Sequence, residues 1–231
     1  MGELVLVRHA QASFFGTDYD TLSPLGREQA RALGRHLARS GERFDAVFVG
    51  PRRRHRETLM LAAEEAALHG GAWPEPTELE LLDEHDGAAV MRHALGAEGL
   101  GETAVEPADP ALKARILREF FVTYRRVMGE WARGLHAVPG IESWGEFRTR
   151  ATRALDALCA APGRVLAFSS GGLVSSAAGA LLGLDDERVI ELSAVLRNTA
   201  LTEVRYSGAR RSLVSFNTLP HIADPASATD V

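Results

Sequence analysis

The feature that most constrains the fold is an uninterrupted apolar run, residues 4–7, that leads straight into Arg8 and His9. A run of Leu and Val without polar alternation is typical of a strand buried on both faces, as in the middle of a parallel sheet. In open α/β sheets, ligands bind at the carboxyl ends of the strands. Two basic side chains at such a strand end indicate either an anion site or an ordinary solvated loop.

The rest of the chain alternates between apolar runs and helical patterns, which predicts an α/β fold with a mostly parallel sheet covered by helices on both faces. We predict further strands at residues 44–50, 77–82 and 164–168, and closing strands of antiparallel or edge character near residues 200–205 and 212–216. Helices are predicted to begin at Pro24, Pro51, Pro110, residue 171 and Ser143, which can form a capping box with Glu146. Residues 225–231 are predicted to be a frayed tail.

The middle of the chain breaks this alternation. Residues 88–140 are predicted to be a helical insertion within one domain that spans residues 1–231. The long helix after Pro110 carries an aromatic stripe of Phe120, Tyr124 and Trp131, which can serve the core or a subunit contact in a dimer. The core is favoured because long amphipathic helices usually bury their apolar face within their own domain. The oligomeric state stays open.

Composition narrows the possible partners. With 26 Lys and Arg against 31 Asp and Glu, the net charge of −5 argues against nucleic acid. The basic stretch at residues 52–56 lacks the interleaved aromatic residues of a nucleic-acid site. No stretch predicts a membrane span or a signal peptide, so we expect a cytoplasmic protein without a membrane partner. The single cysteine, Cys159, cannot form an internal disulfide.

Charged and glycine residues follow four of the predicted strands and can meet at one edge of the sheet. They are Arg8 and His9, Arg54, the acids at residues 83–86, and Gly171. Two arginines suit a phosphoryl group, because guanidinium groups bind its oxygens bidentately and keep their charge. A neutral imidazole can attack phosphorus, and a carboxylic acid can protonate the departing oxygen. This pattern predicts a site for phosphate or a small phosphorylated substrate.

Three motifs in this order resemble the histidine phosphatases related to cofactor-dependent phosphoglycerate mutase. The family begins with a strand ending in Arg-His-Gly, and VRHA has Ala10 in the glycine place. LSPLGREQA, residues 22–30, is similar to the family's leucine, small hydroxyl residue and glycine leading into Gln-Ala. The next family motif is Ser-Pro-Leu, any residue, Arg, Ala, any residue, Glu or Gln, and Thr. GPRRRHRET, residues 50–58, matches it at Pro51, Arg54, Glu57 and Thr58.

The resemblance implies a phosphoglycerate mutase-like fold and a role for each residue that matches. His9 is the nucleophile that becomes phosphorylated, and Arg8 and Arg54 hold the phosphoryl oxygens, with Gln11 and Gly171 as further substrate-binding residues. The proton donor is an acid after the third strand, where Glu84 is favoured over Asp83 and Asp86. No cofactor is implied. His85 lies beside these acids, but no ligand set with metal-site spacing exists, so no metal is expected.

One position departs from the family. Its second histidine follows a late strand, and the matching place in AFSSGGLV is Ser170. That histidine stabilises charge on the phosphoryl group, whereas a serine brings one neutral donor. Losing one such donor costs about 100-fold to 1000-fold in rate, so both weak catalysis and none are open. Five residues elsewhere can partly replace it: Arg52, Arg53, His55, His85 and His221.

Two functions of different kinds follow. The first is a metal-independent phosphatase that hydrolyses a phosphate monoester through phosphorylated His9, supported by Arg8, His9 and Arg54 all being present. The second is a weak or inactive family member that binds a phosphorylated ligand or a partner protein, supported by Ser170. Phosphoglycerate mutase activity is a further option by resemblance, but it requires a site that shields the phosphohistidine from water.

Overall fold

A computed structural model describes residues 1–15, 18–96 and 106–230, and a mixed six-stranded sheet forms its centre. The strands are β1 (Gly2–Arg8), β2 (Ala46–Val49), β3 (Thr77–Glu78), β4 (Arg164–Ser169), β5 (Leu201–Ser207) and β6 (Arg210–Thr218). Their order is β3-β2-β4-β1-β5-β6. The first four strands are parallel to one another, β5 is antiparallel to β1, and β6 is antiparallel to β5. The predicted fold class is confirmed, including the antiparallel closing strands.

Seven α-helices cover the sheet in the described part of the chain. They are α1 (Pro24–Arg39), α2 (Arg53–Leu68), α3 (Gly87–Leu95), α4 (Pro110–Ala132), α5 (Trp144–Ala160), α6 (Gly171–Leu182) and α7 (Asp186–Val195). Their starts follow the predicted signals: the Ser23 hydroxyl accepts from the Gly26 amide, and Ser143 forms the capping box with Glu146.

Alternate residues of β1 pack into two separate cores. Leu4 and Leu6 face a core with α4, α5 and α6, where Trp131 and Phe147 are buried. Val5 and Val7 face the opposite core with α1 and α2. The strand is therefore buried on both faces, as its unbroken apolar run predicts. The stripe on α4 packs inward, with Phe120 and Tyr124 half-buried against the first core.

Register brings the two site-bearing strand ends together. Arg8 at the end of β1 pairs with Ser169 at the end of β4. The His9 amide donates to the Ser169 carbonyl over 2.8 Å, and the Gly50 amide, after β2, donates to the Phe168 carbonyl over 3.0 Å. Residues 9, 50 and 170 thus leave the sheet side by side at its carboxyl edge.

Several local predictions differ from the structure. The third strand is only two residues long and is followed by a 3₁₀ turn at Glu80–Leu82, where the prediction extended the strand to residue 82. Helix α2 begins at Arg53 rather than at Pro51. Helix α7 has no counterpart among the predictions. The tail is not frayed. The Gln29 side-chain amide donates to the Ser227 carbonyl, and the Asn198 backbone amide donates to the Thr229 carbonyl. Within the predicted helical insertion, residues 97–105 lie outside the described residues.

Within the described ranges, none of the helices has the length and hydropathy that crossing a membrane requires.

Candidate active site

His9 lies buried just beyond β1, with its ring fixed by one hydrogen bond. Its Nδ1 atom is 2.7 Å from the Ala10 carbonyl oxygen. A carbonyl only accepts, so Nδ1 carries the proton and Nε2 carries the lone pair. Burial, and then the charges of Arg54 and Arg8, hold the pKa of His9 well below its usual range. The imidazole is therefore neutral at pH 7, with Nε2 in the form that a nucleophile requires.

Backbone contacts hold His9 in place from two neighbouring segments. The Ala10 amide donates to the Thr58 hydroxyl over 3.0 Å, which ties the strand end to α2. The Asn198 side-chain amide donates to the His9 carbonyl over 3.2 Å. Thr58 belongs to the third motif and has a visible sequence signal, whereas Asn198 lies in a loop that no sequence pattern singles out.

Arg8 and Arg54 approach the site from different elements. Arg54 is 6% exposed, and its Nη1 and Nη2 donate to Asp20 over 2.6 Å and to the Ser170 hydroxyl over 3.1 Å. Arg8 donates through Nη1 to the Leu196 carbonyl and through Nη2 to the Asp230 carbonyl. The Nε atoms of both arginines are buried and have no hydrogen-bond partner among the described residues.

Ser170 begins α6 as its N-cap, but its hydroxyl makes no capping bond. Instead Oγ lies 2.6 Å from Nε2 of His55, a residue of α2 that is 0% exposed. The His55 and His9 rings lie 5.8 Å apart between centroids. Burial, and then the charge of Arg54, hold the pKa of His55 well below its usual range. A second, neutral imidazole therefore lies next to His9.

Glu84 is the acid that reaches the interior. One carboxylate oxygen accepts from the Gly172 amide over 2.9 Å, and the other lies 2.8 Å from Nδ1 of His85. Burial alone raises the pKa of Glu84, but the charge and hydrogen bond of His85, with the Gly172 amide, lower it to about 2. The carboxylate is ionised and lies at the amino end of α6, where the helix favours negative charge.

The other two acids have structural roles. Asp83 accepts from Arg52 Nε over 2.5 Å, and Asp86 caps α3 by accepting from the Ala89 amide over 2.9 Å. The choice of Glu84 as the proton donor stays a prediction.

Gln11 and Gly171 lie beside the site residues. The Gln11 side-chain oxygen accepts from the Ser23 hydroxyl over 2.7 Å, which ties it to the start of α1. An added Cβ at Gly171 would lie 3.4 Å from Arg8 Nε, an ordinary van der Waals distance, so the Arg8 guanidinium does not require a glycine at this position.

Of the five residues that can replace the second histidine, only His55 contacts Ser170 in the described part of the chain. His85 uses both nitrogens, on Glu84 and, over 3.0 Å, on the Tyr124 hydroxyl. The remaining three make pairs elsewhere: Arg52 with Asp83, Arg53 with Asp18 and Glu57, and His221 with Thr199.

The ion pair of Arg54 with Asp20 is a site feature that the sequence does not reveal, because an acid in a polar loop has no distinctive pattern. Asp20 also accepts from the Arg53 amide over 2.8 Å at the start of α2. The Arg54 guanidinium lies over the Tyr19 ring at 5.5 Å. In the described residues, no group of three His, Cys, Asp or Glu side chains is placed to hold a metal ion.

Comparison with known proteins agrees with this fold. The sequence profile of the histidine phosphatase superfamily (branch 1) matches residues 4–93 and 112–219. The chain belongs to the histidine phosphatase superfamily.

Two curated relatives are 2,3-bisphosphoglycerate-dependent phosphoglycerate mutases. That of Thermobifida fusca is 40% identical over 95 residues, which are 38% of this chain and 37% of the relative. That of Methylorubrum populi is 37% identical over 89 residues, which are 36% of this chain and 41% of the relative. The match thus spans about two fifths of the length of either mutase.

Solved structures share the whole fold. A mutant phosphoserine phosphatase from Entamoeba histolytica, in complex with phosphoserine, is 18% identical with a TM-score of 0.63, and the match covers 96% of this chain and 100% of that chain. A mycobacterial glucosyl-3-phosphoglycerate phosphatase is 22% identical with a TM-score of 0.60, and the match covers 94% and 99% of the two chains. At these identities the likeness shows the phosphoglycerate mutase-like fold.

Proposed function

We propose that the protein is a metal-independent phosphatase that hydrolyses a small phosphate monoester through a phosphohistidine on His9. The main support is that the charges of Arg54 and Arg8 both act on the His9 imidazole, and that the buried Nε–H groups of these two arginines have no acceptor among the described residues. Buried donors in folded proteins are nearly always paired. A phosphoryl group supplies acceptor oxygens with negative charge and so fits these donors.

The reaction has two steps. In the first, the lone pair of His9 Nε2 attacks phosphorus, the bond from phosphorus to the ester oxygen breaks, and that oxygen takes a proton from Glu84 and leaves as an alcohol. In the second, a water oxygen attacks phosphorus, Glu84 takes the water proton, and the N–P bond breaks to release phosphate. Glu84 is ionised, which suits the second step; the negative charge of a bound phosphate ester raises its pKa toward protonation for the first.

The substrate class is inferred from the solved relatives. The solved relatives include phosphatases named for phosphoserine and for glucosyl-3-phosphoglycerate. We infer that this chain also acts on a small phosphorylated metabolite. Mutase activity is less well supported, because the match to the mutases covers about two fifths of their length.

A phosphate-binding protein without turnover is the second candidate. Ser170 favours it, since a neutral hydroxyl stands where the family has a histidine. Both candidates bind phosphate at Arg8 and Arg54, and turnover separates them.

The test is hydrolysis of an aryl phosphate from about pH 5 to pH 8 with a chelator present, for the wild type and for His9→Ala. We expect turnover that persists with the chelator and is lost in His9→Ala. Acid quenching during turnover should also leave phosphate bound to the wild type and none bound to the variant. Phosphate binding with turnover no faster than that of His9→Ala, on aryl and metabolite phosphates alike, would establish the second candidate instead.

A further inference from the structure

Three positions that depart from the family motifs touch one another in the structure. They are Gly50, in the place of the motif's serine; His55, in the place of its alanine; and Ser170, in the place of its second histidine. His55 Nε2 lies 2.6 Å from Ser170 Oγ, and a Cβ added at Gly50 would lie 2.4 Å from His55 Nδ1. The absence of a side chain at Gly50 thus provides the space that the His55 ring occupies.

We propose that His55 and Ser170 act as one unit that takes over the work of the missing histidine, with Ser170 contacting the phosphoryl group and His55 acting through it as a positioning residue. The inference rests on the proposed phosphatase function. It assigns to α2 a role that the family's motifs give to the segment after β4.

The donors and acceptors around the Ser170 hydroxyl show how His55 and Ser170 would work together. A serine hydroxyl has two lone pairs and one proton. Arg54 Nη2 donates to one lone pair of Ser170 over 3.1 Å, and in the tautomer that carries its proton on Nε2, His55 donates to the other over 2.6 Å. The hydroxyl proton is then left for a phosphoryl oxygen. Two donors that polarise one hydroxyl make it a stronger donor than a lone serine, because linked hydrogen bonds reinforce one another.

Burial supports a functional rather than a packing role for His55. Ionisable side chains are seldom fully buried without a specific partner. His55 and Ser170 are 0% and 1% exposed, and the Ser170 hydroxyl is the side-chain partner of the His55 ring within the described residues. An apolar residue at position 55 would fill this space without the cost of burying an imidazole.

The experiment compares steady-state hydrolysis and phosphate binding for wild type, His55→Ala, His55→Gln and the double variant His55→Ala with Ser170→His. We expect His55→Ala to lower kcat by about 100-fold with a smaller change in KM, since the donor acts on charge that develops in the transition state. His55→Gln keeps an N–H donor at a similar reach and should recover at least about tenfold of that loss. The double variant returns the imidazole to the segment after β4 and should also recover activity.

His69→Ala, at the far end of α2, is the matched control and should leave kcat unchanged, with thermal unfolding of every variant measured alongside. If His55→Ala folds and turns over within about threefold of wild type, the proposal is wrong. If His55→Ala does not fold, the decision passes to His55→Gln and the double variant, and a loss of kcat in both as deep as that of a Ser170→Ala variant overturns the proposal.

Failure of the proposed function gives a different pattern. Should the wild type itself show no turnover, the affinity for inorganic phosphate decides: weakening of about tenfold or more in His55→Ala would support the paired unit, and unchanged affinity would overturn it. The wild-type rate therefore tests the phosphatase function, and the comparison of variants tests the role of His55.

Discussion

Arg54 and Asp20 form an ion pair of 2.6 Å between Nη1 and a carboxylate oxygen, so one of the two arginines that we propose to bind phosphate is paired with an acid of its own chain. The arginine is almost fully buried, while the Asp20 side chain keeps 33% of its surface exposed. Such a pair orients the guanidinium fork, but it also puts a negative charge next to the position of an anionic ligand. An incoming phosphate must share Arg54 with this carboxylate.

Asp20→Asn is therefore expected to tighten the binding of inorganic phosphate by about threefold to tenfold, since it removes one like charge near a partly exposed site. The amide oxygen can still accept from the Arg53 amide, so the start of α2 is kept. Isothermal titration with phosphate measures the effect. Asp18→Asn is the control, because it removes the same charge from an exposed pair with Arg53. Equal tightening in both variants would contradict a specific role for Asp20.

Gly50→Ala is expected to destabilise the protein by about 1–3 kcal/mol and to lower kcat, because the new methyl group overpacks the site. Its Cβ would lie 2.4 Å from His55 Nδ1 and 2.7 Å from the Leu82 carbonyl oxygen. Urea unfolding and steady-state hydrolysis give the two effects. Gly145→Ala on α5 is the control, since its Cβ meets nothing within 4 Å. A Gly50→Ala variant as stable and active as Gly145→Ala would show that the space beside His55 is not tight.

The sequence predicts the scaffold well because its signals are local. The unbroken run of residues 4–7, the Ser143 capping box and the prolines at helix starts each act through neighbouring residues. Helix α7 was missed because its sequence buries only Val189 and Ile190, which leaves a weak amphipathic pattern. The ordered tail was missed because its contacts lie far away in sequence, on Gln29 and Asn198.

The site is predicted less completely, and for the same reason. Arg8, His9 and Arg54 follow from motifs, and the structure places them together. His55 was one of five equal candidates, because in a run of basic residues the sequence does not show which side chain turns inward. Which side chain turns inward depends on the face that α2 packs against its neighbours and on the space at Gly50, and both are properties of the tertiary structure. The ion pair with Asp20 likewise has no local signal.

Stability should fall on acidification, and His221 should contribute measurably to the fall. Burial, and then the charge of His36, lower the pKa of His221 to about 4. Between that value and the ordinary pKa of 6.5, the unfolded chain binds a proton that the folded chain does not, so stability is lost as pH falls. One such group contributes up to about 1.4 kcal/mol per pH unit in this window.

His221→Gln should therefore lose less stability than wild type between about pH 7 and pH 5, as measured by urea midpoints. Part of the loss will remain, because His9 and His55 also have lowered pKa values. Between about pH 7 and pH 8 the two proteins should behave alike, which serves as an internal control. The same acid-dependent loss in both proteins would show that His221 does not titrate this way.

Tyr124→Phe should destabilise the protein by about 1–3 kcal/mol, because it leaves a buried nitrogen of His85 without its partner. The Tyr124 hydroxyl lies 3.0 Å from His85 Nε2 and links α4 to the segment that carries Glu84. Chemical unfolding measures the loss. Tyr19→Phe removes a hydroxyl from a residue that is 52% exposed and should cost much less. Equal and small effects would mean that the link contributes little.

The register of β1 and β4, in which Arg8 faces Ser169, bears on how such a site evolves. The backbone fixes where the strand ends lie, so an imidazole lost from one segment can be regained from a neighbouring helix without any rearrangement of the chain. In that case linked substitutions move the imidazole from one segment to another, and the site keeps an imidazole. Among homologues with a serine at position 170, glycine at 50 and histidine at 55 should be inherited together with it.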